Sequence, residues 1–82
     1  MRDFPVGSIW TNGRGYFREV LRTWRPRFRD AVSYRTFRIM PDGDVREYAP
    51  NPGRCYVGTM SQWATRRATE DEEDALILGV KV

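Results

Sequence analysis

Thirteen of the fourteen basic residues are arginine, and eight of these fall between Arg14 and Arg38. Arg14, Arg18, Arg22, Arg25, Arg27, Arg29, Arg35 and Arg38 are set there against only Glu19 and Asp30, with Tyr16, Phe17, Trp24, Phe28, Tyr34 and Phe37 interleaved. A guanidinium holds phosphate or carboxylate through parallel N–H donors and stacks on aromatic or base faces. The chemistry of this run is therefore recognition. Read as a strand, residues 16–24 put Arg18 and Arg22 on one side and feed a loop carrying Arg25, Arg27 and Arg29. Such a face could follow a phosphate backbone, with Trp24 or Phe28 stacking on a base. Engaging about five arginines with duplex DNA would give a log–log salt slope of roughly −4 to −5. An acidic protein surface answers the same field, and a Trp24 exposed beside arginine would suit a protein contact. The candidate binding set, for protein or nucleic acid, is Arg14, Arg18, Arg22, Trp24, Arg25, Arg27, Phe28, Arg29 and Arg35. Against it stands the plain expectation that outer-face arginines are solvated or paired with cross-strand acids, and that aromatics in so small a chain form its core.

Bond-making chemistry finds little to work with. The 82 residues contain no histidine and one cysteine, which removes the commonest general base, His-assisted nucleophiles, a zinc cluster and an intramolecular disulfide. Cys55 reads as a buried structural thiol. Asp42 and Asp44 flank a turn and lack the buried setting that shifts a carboxyl pKa. The pair Gly13-Arg14-Gly15 has neither the third glycine nor the following helix of a phosphate-binding fingerprint. No enzyme, cofactor or metal is expected. Residues 1–5 lack the apolar stretch of a signal peptide, and no run approaches the roughly 18 apolar residues of a membrane span, so a cytoplasmic chain is expected.

The net charge of +3 conceals a division. Residues 1–69 hold thirteen arginines against six carboxylates, a net +7, whereas residues 70–82 hold five carboxylates against Lys81, a net −4. The run Glu70 to Asp74 could bind a metal or mimic phosphates, but reads first as a solvated helix start. The following Ala75-Leu76-Ile77-Leu78, with Val80 and Val82, is apolar for an end, and is expected either to tuck onto the body or to serve self-association.

These residues must be positioned by short elements. Asn12-Gly13, Pro41-Asp42-Gly43 and Pro50-Asn51-Pro52-Gly53 are turn signals, and between them lie apolar or alternating runs at Val6 to Thr11, Tyr16 to Trp24, Ala31 to Phe37 with Ile39-Met40, Val45 to Tyr48 and Cys55 to Val57. Phe17, Val20, Leu21 and Trp24 also fit a helical stripe, but the glycines just before favour a hairpin return. Thr59-Met60-Ser61-Gln62 fits a capping box that would open a first helix, and Thr69-Glu70-Asp71-Glu72 fits another that would open a short helix ending near Gly79, unless Ala75 to Val82 forms a strand or a disordered end. Trp10 and Trp63 are expected to anchor the core.

The order Val6-Gly7-Ser8-Ile9-Trp10, Phe17-Arg18-Glu19-Val20-Leu21, Val32-Ser33-Tyr34-Arg35, a glycine turn and Thr59-Met60-Ser61-Gln62-Trp63 resembles a widespread type of small phage and bacterial protein. Those proteins are expected to fold as SH3-like barrels. The resemblance covers about residues 4–66, rests on aromatic and aliphatic positions, and transfers no catalytic residue. It implies a phage or mobile-element origin, hence a host-cell cytoplasm. The basic stretch 25–30 and the tail after Thr69 depart from the pattern.

The expected fold is mainly β (α+β): a small SH3-like barrel or β-roll of about five short strands over residues 1–69, closing in a short helix, with 70–82 as an acidic then apolar tail. The expected role is a binding protein that occupies a host protein or nucleoprotein complex, as a host-takeover or anti-defence factor. The alternative is sequence-independent DNA or RNA binding through the Arg14–Arg38 patch.

Overall fold

The alternating run that begins at Ala31 continues to Ile39 as the central strand of the protein. In the computed structural model, which describes residues 3–48 and 52–80, this strand (β3) pairs antiparallel with β2 (Tyr16–Trp24) along one edge. On its other edge it pairs with β4 (Val45–Glu47) near one end and β5 (Gly53–Tyr56) near the other. β1 (Ile9–Thr11) returns on β2 through the Asn12–Gly15 turn, where Gly13 and Gly15 both have positive φ. A two-residue strand, β6 (Arg66–Arg67), adds to the free edge of β1. Among the described residues the sheet has six antiparallel strands in the path β4-β3-β2-β1-β6, with β5 beside β3, and it stays open. The mainly β, α+β class holds without closure into a barrel.

Among the described residues two α-helices cover it. α1 (Val57–Trp63) begins two residues before the expected cap: its N-cap is Tyr56, which makes no side-chain capping bond, and the Val57 amide instead donates to the Asp30 carbonyl at 2.8 Å. A tertiary contact thus sets this start and leaves the Thr59 box unused. The second box does form. The Glu72 amide donates to Thr69 Oγ1 at 3.2 Å and the Thr69 amide to Glu72 Oε1 at 2.9 Å, opening α2 (Glu70–Val80), whose four acidic first-turn residues suit the positive end of its dipole. α2 continues through Gly79, where an added Cβ would lie 2.6 Å from Val45 Cγ2. Residues 49–51 of the expected proline turn, and 81–82 of the tail, lie outside the described residues.

Register decides what each face of the sheet carries, because directly opposed residues share a face and successive residues alternate. Phe4, Val20, Val32, Val57, Met60 and Ala64 form one buried cluster on the face covered by α1. Ile9, Phe17, Phe37, Ala68 and Leu76 form a second on the face covered by α2. Phe17 and Val20 are three apart in one strand, so they fall on opposite faces and both are buried, which is why β2 also matched a helical stripe. Trp10, Trp63 and the half-buried Cys55 pack against the first cluster at its rim.

Candidate binding site

A β-bulge breaks up the anticipated arginine face. Val20 opposes Tyr34, but the next pair is Arg22 with Ser33, so Leu21 is the extra residue and the parity of β2 reverses beyond it. Arg18, opposite Thr36, and Arg22, opposite Ser33, therefore lie on opposite faces. The expectation that they share a side fails for this reason.

Arg18 is drawn into the structure. Its guanidinium carbon lies 4.2 Å from the Tyr34 ring centroid and 4.1 Å from that of Trp63, and Nη1 approaches Met60 Sδ at 3.8 Å. Its Nε is buried with no hydrogen-bond partner. Gly53 helps to hold this cage, because a Cβ there would meet the Tyr34 ring at 2.8 Å. Arg35 lies on the other face between two carboxylates, 2.9 Å from Glu47 and 4.0 Å from Glu19. Arg14 is in the β1–β2 turn, at the far end of β2 from Trp24, about 25 Å away for a nine-residue strand.

Six of the nine candidates do meet, at the end of the sheet where β2 gives way to β3. Arg22 lies over the Trp24 ring at 4.8 Å, and Arg29 over Tyr56 at 4.0 Å. Arg25 pairs with Asp30 at 3.2 Å, both side chains being exposed. Between them the 3-10 turn Pro26–Phe28 closes with the Arg29 amide donating to the Pro26 carbonyl at 3.1 Å. Arg27 and Phe28 both have positive φ, at 47° and 71°, although neither is glycine. Each costs on the order of 1 kcal/mol in such a conformation. This backbone places the Phe28 side chain at the tip, 90% exposed, between arginines on either side in sequence. Trp24 is half-buried and forms part of two grooves. One, of about 480 Å³, is lined by Phe4, Pro5, Thr23 and Val57; the other, of about 200 Å³, by Pro26, Cys55 and Tyr56. Burial raises the Cys55 thiol pKa, so this thiol is held protonated.

A second cluster, absent from the sequence-based candidate set apart from the charge of Arg38, lies at the opposite end of the sheet. The Tyr16 and Tyr48 rings are 5.6 Å apart and tilted by 42°, with Arg38 5.1 Å from the Tyr16 ring. Tyr48 accepts hydrogen bonds from the Tyr16 hydroxyl and from Arg38, and these lower its pKa; donating to Tyr48 raises that of Tyr16. Tyr16 opposes Arg38, which opposes Arg46. The pairing that assembles this cluster spans three strands, and no short motif encodes it.

Among the described residues no group of three His, Cys, Asp or Glu is placed to hold a metal ion, and no helix is long and apolar enough to cross a membrane. The carboxylates of α2 are partly engaged: Glu72 bonds Arg66 at 2.6 Å, a contact that with the Thr69 cap lowers its pKa to about 2. Comparison with protein-family models, with curated proteins and with solved structures returns no match, so the functional argument rests on this geometry.

Proposed function

We propose that this protein acts by binding, without catalysis of its own, and that the loop 25–30 end seats in the surface of a partner protein or nucleoprotein complex. The observation that carries this reading is Phe28, almost fully exposed on a left-handed backbone at a tip flanked by Arg27 and Arg29. Burying a phenylalanine is worth about 2–3 kcal/mol, and an aromatic anchor ringed by arginine is the usual composition of a binding hot spot. Arg22, Arg25, Arg27 and Arg29 would speed association with an acidic rim and restrict its orientation. The resemblance in sequence suggests a phage-encoded factor acting on a host complex in the cytoplasm. A phosphate-tracking face running from Arg14 to Arg38 has less support, since Arg18 is caged by aromatics and Arg35 is flanked by two carboxylates.

The test is affinity capture from host lysate at low and moderate salt, with wild type and Phe28→Ala in parallel, followed by titration of the captured partner. Phe28→Ala should weaken binding by roughly tenfold or more while leaving the thermal midpoint unchanged. Equal capture by both proteins, or none above background, would overturn the reading.

A further inference from the structure

The strand carboxylates of this sheet are all on one face. Glu19 and Glu47 share the face of Arg35. The opposite face, which carries the Tyr16–Tyr48 cluster, has Arg18, Arg38, Arg46 and Arg67 in its strands and no carboxylate among the described strand residues. Arg38 stands directly opposite Arg46, a pairing of like charges that disfavours the folded sheet. Asp44, in the β3–β4 turn, lies 3.5 Å from Arg46 with both side chains exposed. Such a pair is largely screened by solvent.

The cations on this face are also oriented. Arg38 lies over the Tyr16 ring, which orients its guanidinium, whereas Arg18 is enclosed between the Tyr34 and Trp63 rings, so the half-buried Arg38 and the exposed Arg46 and Arg67 are the cations of this face that a ligand can reach. Tyr48 is 41% exposed and offers a ring beside the cations. From Arg46 on β4 to Arg67 on β6 the face crosses four strand intervals, roughly 19 Å. Separated positive groups with no carboxylate between them call for a ligand with repeated negative charge. Exposed rings at the same level call for planar groups that stack.

We infer that this face binds single-stranded nucleic acid, with phosphates on Arg38, Arg46 and Arg67 and a base stacked on Tyr48. A short span of about four nucleotides fits its width, the low end of single-strand site sizes. Duplex is disfavoured because its bases are already stacked and leave Tyr48 no face. The inference does not depend on the loop 25–30 reading, whose residues lie at the other end of the sheet.

The experiment is fluorescence anisotropy of the full chain with a labelled twelve-residue oligothymidylate and with a twelve-base-pair duplex, from 50 to 300 mM NaCl. The single strand should bind more tightly than the duplex, with a log–log salt slope of roughly −2 to −3 for three to four phosphates. Tyr48→Leu should weaken single-strand binding by roughly fivefold to a hundredfold. The double change Arg38→Gln with Arg46→Gln should weaken it at least tenfold and reduce the salt slope by about 1.5. Arg54→Gln, which removes one charge from the opposite face, should leave affinity within about twofold. Circular dichroism melts would show each variant folded. No binding at 50 mM salt, tighter binding of duplex, or equal loss from Arg54→Gln and the Arg38/Arg46 change would overturn the inference.

Discussion

The two faces of the sheet solve the problem of surplus arginine differently. On the face beneath α2, Arg35 lies between Glu19 and Glu47, and Arg66 is held by Glu72 of the helix. On the face beneath α1, Arg18 and Arg38 have aromatic rings for neighbours, and Arg38 faces Arg46. One face pairs Arg35 and Arg66 with carboxylates of the fold, and the other sets Arg38 against Arg46 with no strand carboxylate beside them among the described residues. A net charge, or even a local charge sum, averages over these two situations; strand parity separates them.

The comparison breaks most sharply at the cores. Met60 is fully buried in the cluster under α1, so Met60→Ala should lower the unfolding free energy by about 3 kcal/mol in urea denaturation. Leu76, which α2 buries in the second cluster, should cost about 2 kcal/mol on the same change. If Leu76→Ala proved neutral, the second core would not contribute to global stability and the two-sided description would fail.

The arginines sharpen the contrast at lower energy. Arg35→Ala should destabilise by about 1 kcal/mol at low salt, with the loss shrinking as salt rises, because it removes the cation that both Glu19 and Glu47 approach. Arg38→Ala should be neutral or slightly stabilising, since it relieves the opposition with Arg46. Equal losses for both would show that the faces do not differ electrostatically.

The smallest effect is one of pH. The folded-state pKa of Glu72, about 2, lies below its ordinary value of 4.5, so its contribution is complete above about pH 4.5 and is lost as pH falls towards 2. Solvent screening at this partly exposed pair limits that contribution to about 1 kcal/mol or less. Glu72→Gln should remove the corresponding slope from an acid titration of stability between pH 4.5 and 2.

Much of the architecture was legible because β2 and β3 are long and their turns are marked by glycine. The Thr69 box was legible because its chemistry is contained within four residues. The Thr59 box misled for the opposite reason: the helix start was settled by an amide reaching across to Asp30, a contact no local motif records. β6 has two exposed arginines and no hydrophobic period, so only its pairing with β1 reveals it. The site suffered most from a single residue. Leu21 carries no bulge signature, yet it separates Arg18 from Arg22 and so divides one expected arginine face between two sides of the sheet.

Gly79 illustrates how such packing reverses a common rule of protein engineering. Replacing a helical glycine by alanine ordinarily stabilises by up to about 1 kcal/mol. In α2 the missing methyl group is what allows the last turn to close on Val45, so the same substitution should act as a wedge and loosen the helix from β4. A search for thermostable variants that scored helix propensity alone would select this position and lose stability there.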